Sequence, residues 1–426
     1  MPIPSFTRRE VFIPQVSVRK AYAVVGMRRA GKTTFLWQKL KEQLEQGISR
    51  EALLYFGFDD ERLSDLKVAD LGVILEEYQT LFPTARTQAG ATLFLDEIQQ
   101  VVGWERFVRR VLDTEPFQIY LSGSSARMLS REVATQMRGR ALEIRIYPFS
   151  WREYLRHTEQ MPNIPIDRLT THEQQALQNA LRHYLQEGGF PEAIGTDLRT
   201  RKELLQSYVD ATLLRDVVER YEVSHPSALR WMVRQLLGNP CGAFSIHKFY
   251  NDLTSQGYRI GKDTLHDYLG YLEDSFLIRI VALSAQSERR RQVNLRKVYP
   301  IDMGLIALYD RQGQSHIGHA LETAVLIELE RRGAEIGYVR LPNHYEVDFH
   351  ARYPNGSTAL IQVCADISEP AVYEREIRSL IQARSEFPDA RCQLVVSDPP
   401  HPSVDLPEGI ELHLAREWLL QASTLE

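Results

Sequence analysis

Gly26 and Gly31 bracket four residues ahead of Lys32 and Thr33, so that GMRRAGKT carries the spacing GxxxxGKT. Each residue type has a task in holding a chain of phosphates. Small residues let successive backbone N–H groups turn inward around the anion, and the N-terminus of a following helix adds its positive end. Lys32 would reach the β and γ phosphates, and Thr33 would ligate magnesium. The stretch Gly26, Met27, Arg28, Arg29, Ala30, Gly31, Lys32, Thr33 and Thr34 therefore predicts a nucleoside-triphosphate site. A second acidic element should supply the metal carboxylate and a base. In ATLFLDEIQ, Asp96 and Glu97 follow the apolar residues of a buried strand. Asp96 would hold the magnesium and Glu97 would polarise the attacking water. An acidic pair at a strand end also suits a solvated loop, but its place downstream of the phosphate loop favours the chemical role.

Two further polar clusters follow in the same half. FQIYLSGSSARML ends a strand in small hydroxyl residues, and Ser122 and Ser124 either orient the water and sense the γ phosphate or cap a helix. Arg138 and Arg140 close a helical segment before the strand ALEIRIY. An arginine there either enters a neighbouring subunit's site and stabilises transition-state charge, so that hydrolysis needs an oligomer, or satisfies carbonyls at a helix end.

The C-terminal half carries its own chemistry-bearing residues. HALETAVLIELERRG places Glu322 on an amphipathic helix, HYEVDFHAR places Asp348 in a strand, and STALIQVCADIS places Gln362 in the next strand with Cys364 two positions on. Before them, Arg289, Arg290, Arg291, Arg296 and Lys297 cluster in or beside a β-hairpin, RIVALSAQSERRRQVNLRKVYPID. Such a cluster suits phosphate contact.

The phosphate loop after its strand, LFLDEIQ, LSGSS and MRGR together resemble the AAA-plus ATPase core, as found in prokaryotic ATPases that join this core to a C-terminal half of poorly assigned function. The resemblance covers nearly the whole chain. It implies ATP and Mg2+ as cofactors, Ser122 or Ser124 as the first sensor, and Arg140 or Arg138 as the arginine finger. FGFDDERL, Phe56 to Leu63, matches the family's exit from strand two, with Asp59 and Asp60 near the active-site loop. In EGGFPEAI, Pro191 resembles the GxP element that packs on the nucleotide base in AAA-plus switches; an ordinary turn is the alternative. Glu322, Asp348 and Gln362 resemble the restriction-endonuclease-like core, where a Glu, an Asp and an E/QxK element converge on a metal. Here Cys364 stands at the lysine position, and a thiol is no substitute for a cationic amine beside a scissile phosphate. The expectation is an inactive or severely weakened nuclease fold, with Glu322 and Asp348 as vestigial metal ligands.

These residues require positioning elements. AYAVVG reads as a buried strand and TTFLWQKLKEQLEQ as the helix after the loop. In YVDATLLRDVVERYEV, Leu213, Leu214, Val217 and Val218 recur at helical spacing and read as core. Three helices and a hairpin after Pro226 suggest a winged helix. Its third helix carries Asp263, Asp267, Glu273 and Asp274, so base reading by that helix is not supported, while phosphate contact by the wing and a protein-packing role stay open. The expected fold class is α/β. Residues 1–150 form an AAA-plus P-loop core, 151–224 a helical lid, 225–302 a winged helix and 303–426 a restriction-endonuclease-like domain.

With 426 residues, 43% hydrophobic and 25% charged, the chain is too long for one core and suits two to four domains. The formal net charge of -5 excludes a chain coated in basic residues, so nucleic-acid contact must come from local patches. Three widely spaced cysteines, Cys241, Cys364 and Cys392, disfavour a disulfide framework or structural zinc. MPIPSFTRRE lacks a secretory core and no apolar run is long enough to span a bilayer, which predicts a cytoplasmic protein without a membrane partner. The expected function is an oligomeric, Mg-dependent ATPase, a ring or other homo-oligomer, that remodels or moves on DNA. The alternative is a nucleotide-dependent switch binding a protein partner, and a weaker one an ATP-gated nuclease.

Overall fold

The computed structural model describes residues 3–85, 90–123, 137, 139–284, 295–309, 317–342, 345–398 and 406–421. Ser124, Arg138, Arg289, Arg290 and Arg291 lie outside the described residues. The chain divides into two compact units. The first contains Met1–Tyr147, Ala211–Glu222 and Asp274–Phe276; the second contains Pro148–Asp210, Val223–Glu273 and Leu277–Glu426. No helix of the described residues is long and apolar enough to cross a membrane.

The first unit is built on a five-stranded sheet. Its strands are β1 (Ala21–Val25), β2 (Leu53–Gly57), β3 (Thr92–Asp96), β4 (Gln118–Ser122) and β5 (Ala141–Arg145), in the order β2-β3-β4-β1-β5. All neighbours run parallel. AYAVV and TLFLD are buried at every position, as strands covered on both faces must be. Tyr22, Tyr120 and Phe94 occupy matched register positions on β1, β4 and β3, and their rings stack at 5.0 and 5.4 Å. This cross-strand stack fixes the register, so the C-terminal ends of the three strands finish at one level. The helix Lys32–Glu45 begins directly after the loop that leaves β1 and buries Phe35, Leu36 and Leu40 against the same face.

The second unit holds an eight-stranded mixed sheet. Its strands are β6 (Ala243–Phe244), β7 (Ile278–Leu283), β8 (Arg296–Pro300), β9 (Glu335–Arg340), β10 (Glu346–Arg352), β11 (Thr358–Cys364), β12 (Arg391–Val396) and β13 (Ile410–Leu414). They lie in the order β13-β12-β11-β10-β9-β7-β8-β6. Helices Thr171–Glu187 and Ile317–Arg331 contribute Leu177, Leu181, Leu321 and Val325 to a core shared with Phe349 and Trp418. Helices Pro226–Leu237, Ile246–Ser255 and Lys262–Asp274 precede the β7–β8 hairpin. That hairpin does not stand apart as a free wing. β7 pairs in parallel with β9 through Ala282↔Gly337 and Leu283↔Tyr338, so it continues the sheet that carries Asp348 and Gln362.

Gly188 and Gly189, which break the helix before Pro191, meet a specific demand. Asp302 Oδ2 accepts from Gly189 N at 2.8 Å and its Oδ1 from Gly304 N at 2.9 Å. Gly188 has φ 83°, and a Cβ there would lie 2.0 Å from Asp302 Oδ1. A Cβ on Gly189 would lie 2.4 Å from Phe149 O. The glycine pair is required by this close approach, a reason additional to ending a helix.

Candidate functional site

In the first unit the loop from Gly26 to Thr34 joins β1 to the helix Lys32–Glu45. Gly26 has φ 149°, and a Cβ would sit 2.1 Å from Ile146 O, so only glycine passes the exit of β5 here. Arg29 at φ 64° and Gly31 at φ 100° turn the loop back toward the helix start. Left-handed residues interspersed with ordinary ones in this way turn backbone N–H groups toward one concave side. Lys32 is buried and donates from Nζ to Gly26 O at 3.0 Å and Met27 O at 3.2 Å. Burial pulls its ammonium down, against the opposing fields of Glu97 and Asp216. Thr33 is exposed at the helix start, and Thr34 is half-buried behind it.

Arg9 supports the loop from below, a role its sequence gives no sign of. It is 3% exposed, donates from Nη1 to Ala30 O at 2.7 Å, and also donates to Tyr147 O. Its backbone exchanges hydrogen bonds with the Gln38 amide, at 2.7 and 3.1 Å, on the helix the loop feeds. A buried guanidinium placed on these carbonyls fixes the loop's curvature.

The carboxylate strand β3 is separated from β1 by β4, and this spacing is chemically useful. Asp96, at the end of β3, is 4% exposed. Its Oδ2 accepts from the Tyr55 hydroxyl at 2.7 Å and its Oδ1 from Ser122 Oγ at the end of β4. Burial and the charge of Asp96 push the Tyr55 hydroxyl well up, so it stays a donor. Ser122 Oγ also accepts from Glu97 N at 3.3 Å. Ser122, expected as a water-orienting group or a cap, lies on the Asp96 carboxylate. Glu97 itself adopts a left-handed backbone, φ 55° and ψ 35°, and the Gln99 amide donates to its carboxylate. Tyr55 was missed because LLYFG reads as apolar strand, with no hint that its ring, stacked 4.0 Å from Trp37, aims its hydroxyl at Asp96.

Thr33 and Asp96 have the hard oxygen donors that suit magnesium, which takes one or two protein ligands beside phosphate oxygens and water. Among the described residues no three His, Cys, Asp or Glu side chains gather to hold a metal alone. Arg140, just before β5, pairs its guanidinium with Asp113 and is 42% exposed. Asp60 caps the turn Glu61–Leu63, accepting from Arg62 N at 2.9 Å, and pairs with the Arg62 side chain. Pro191 is half-buried in the second unit.

In the second unit, Glu322, Asp348 and Gln362 come together, and a cation comes with them. Lys297, on β8, places Nζ 2.7 Å from Glu346, 3.2 Å from Asp348 and 3.3 Å from Glu322. Its side chain is 7% exposed. The expectation of a phosphate-contacting Lys297 is thereby corrected: it points into the sheet and neutralises carboxylates, while Arg296 before it is exposed. Burial would lower the Lys297 ammonium, but the fields of Asp348, Glu322 and Glu346 hold it well above its ordinary value. Glu322 is pushed up to about 7 by burial and by Asp348, against Lys297 and the Tyr299 hydroxyl that donates to it at 2.7 Å. Asp348 Oδ2 also accepts from Val363 N at 3.1 Å. Cys364 donates to Asp366 O at 3.2 Å, and its thiol is raised to about 11 by burial and Glu376. It is neither a cation nor a thiolate ligand at neutral pH. A cleft of about 670 Å³ opens on Glu322, Glu346, Asp348 and Gln362, with Arg375 and Arg378 on its wall.

Residues 18–155 match the family model described as an AAA domain, and residues 178–315 match one described as a domain of unknown function. The chain is similar to the uncharacterized protein MJ1544 of Methanocaldococcus jannaschii, with 33% identity over 85% of this chain and 78% of that one. It is also similar to an uncharacterized protein of Haemophilus influenzae, with 27% identity over 93% of this chain and 94% of the other. Among solved structures, the Walker-type ATPase PABY2304 of Pyrococcus abyssi aligns over 68% of this chain and 91% of that one, at 15% identity and a TM-score of 0.40. That likeness is too slight to carry functional weight.

Proposed function

The chain belongs to the family of the Methanocaldococcus jannaschii protein MJ1544 and carries an AAA-type nucleotide-binding domain, and from that premise we propose that it is a Mg-dependent ATPase, active as a homo-oligomer and coupled to DNA. One observation carries the ATPase reading: the loop Gly26–Thr34, its buried Lys32 and the doubly hydrogen-bonded Asp96 all end at one level of the parallel sheet. In this reading the loop N–H groups and Lys32 bind the phosphates of ATP. Thr33 and Asp96 hold magnesium, whose contribution is to neutralise charge on the β and γ phosphates. Glu97 orients water and accepts its proton, and Gln99 holds the Glu97 carboxylate in place. Arg140, or Arg138, completes a neighbour's site and makes turnover depend on assembly.

The DNA coupling rests on the basic cluster Arg289, Arg290, Arg291 and Arg296 beside a hairpin whose preceding order, helix, short strand, helix, helix, supports a winged helix. The restriction-endonuclease-like reading of the C-terminal sheet is supported by the convergence of Glu322, Asp348 and Gln362 on one cleft. With Cys364 at the lysine position and Lys297 engaged by three carboxylates, that cleft is proposed to be nuclease-inactive. A second reading, a nucleotide-dependent switch that binds a protein, is favoured by the burial of Lys297, which removes one cation from the DNA-facing set. ATP turnover measured with and without duplex and branched DNA separates the two. Stimulation by DNA that disappears on charge reversal of Arg289 to Arg291 supports DNA coupling. A stable ATP-bound oligomer that DNA does not stimulate supports the switch.

A further inference from the structure

The first unit holds an acid that the motifs do not account for. Asp216 lies in a stretch read from sequence as apolar core, and its side chain is 2% exposed. It grips Arg28, within the phosphate loop, with both oxygens: Oδ2 accepts from Nε and Oδ1 from Nη2, each at 2.8 Å. This two-pronged pairing is the strongest geometry a guanidinium and a carboxylate can adopt. The residues are 188 positions apart.

Asp216 belongs to Thr212–Val218, a π-helical continuation of the helix Leu198–Ala211. Wide turns of this kind disturb regular helical hydrogen bonding and gather at functional sites. The stretch is part of Ala211–Glu222, which packs within the first unit although Asp210 before it and Val223 after it belong to the second. Within the first unit this excursion is also tied by Tyr221, whose hydroxyl donates to Asp274 at 3.4 Å.

Two cations of the loop are thus engaged by the protein itself: Arg28 by Asp216, and Lys32 by the carbonyls of Gly26 and Met27. The charge of Asp216 is felt at both. A triphosphate in the same loop presents phosphate oxygens to the same cations. It repels the Asp216 carboxylate and offers the Arg28 guanidinium two oxygens of its own.

We propose that the Arg28–Asp216 pair is a latch opened by nucleotide: the triphosphate draws Arg28 away, Asp216 loses its partner, and Ala211–Glu222 loosens at a point where both of its ends continue into the second unit. The inference rests on reading Gly26–Thr34 as the nucleotide site and adds how occupancy of that site is reported along the chain.

Hydrogen exchange of the full chain, followed peptide by peptide with and without Mg2+ and the slowly hydrolysed analogue AMPPNP, tests it. The expected result is slower exchange in Gly26–Thr34 together with about tenfold faster exchange across Ala211–Glu222. In Asp216→Asn, Ala211–Glu222 should exchange fast throughout and ignore AMPPNP, while the loop is still protected by it. Arg28→Gln, a change at a half-exposed side chain, should give fast exchange across Ala211–Glu222 before any AMPPNP is added, a readout that needs no nucleotide binding, and serves if Asp216→Asn does not fold. A protected loop with unchanged exchange across Ala211–Glu222 overturns the latch and leaves the nucleotide site standing. A loop that AMPPNP does not protect overturns the site and the latch together.

Discussion

The hydroxyl of Tyr55 donates to Asp96 Oδ2 at 2.7 Å, and the opposite oxygen of the same carboxylate is held by Ser122. A carboxylate fixed at both oxygens presents its remaining lone pairs in one direction, as an outer-shell pair around a metal ligand should. Tyr55→Phe keeps the ring stacked on Trp37 and deletes the donor. The Mg2+ concentration for half-maximal ATP turnover should rise about ten- to a hundredfold, with metal-free nucleotide binding unchanged. Turnover titrated with MgCl2 checks this.

Arg140 is half-exposed and engaged with Asp113 in its own chain, an exposed pair worth about 1 kcal/mol or less. Such a pair is easily exchanged for a neighbour's phosphate. Arg140→Ala should lower turnover of the assembled protein by about a thousandfold while leaving ATP binding at low protein concentration intact. Equal turnover by an isolated monomer and by the assembly would remove Arg140 from that role.

Buried Asp302 gives the second unit a pH dependence of definite sign. Burial raises its carboxyl from 3.8 to about 6, against the backbone donors Gly189 and Gly304. The native state then holds the proton to higher pH than the unfolded chain. Stability from this group is complete below about pH 4 and declines as pH rises through about 6, by about 3 kcal/mol in all. Asp302→Asn should remove this decline. Urea unfolding at several pH values, followed through Trp151 and Trp418, both buried in that unit, reports it.

Lys297 neutralises three carboxylates that line the cleft of the second unit. Lys297→Met should destabilise the protein by about 3–5 kcal/mol near neutral pH, because it leaves like charges buried without their cation. The loss should shrink at pH 5, where Glu322, raised to about 7, is protonated. Thermal unfolding at both pH values would show it, and a loss that does not change with pH would contradict the assignment.

Chemistry built from neighbouring residues is legible in the sequence. The phosphate loop keeps its glycines, Lys32 and Thr33 within one short run, and its strand and helix flank it directly, so their pattern suffices. The groups that orient those residues come from far away and carry no spacing. Arg9 reaches Ala30 across 21 positions and Asp216 reaches Arg28 across 188. Tyr55 and Asp216 each sit in an apolar pattern that burial alone explains, so nothing marks their polar ends. The basic cluster was legible as charge, but the fate of Lys297 depended on Asp348, 51 positions on, arriving beside β8. That arrival follows from the parallel pairing of β7 with β9, whose register no hairpin signal encodes.

The proposed function requires that Lys32, Asp96 and Glu97 form a hydrolytic site. Phosphate release from Mg-ATP by the full chain and by Glu97→Gln, with bound nucleotide quantified in the same samples, tests it most directly. The wild type should turn over ATP at a rate per chain that rises with protein concentration. Glu97→Gln should retain nucleotide and lose turnover by about a hundredfold or more. Undiminished phosphate release by Glu97→Gln would contradict the account.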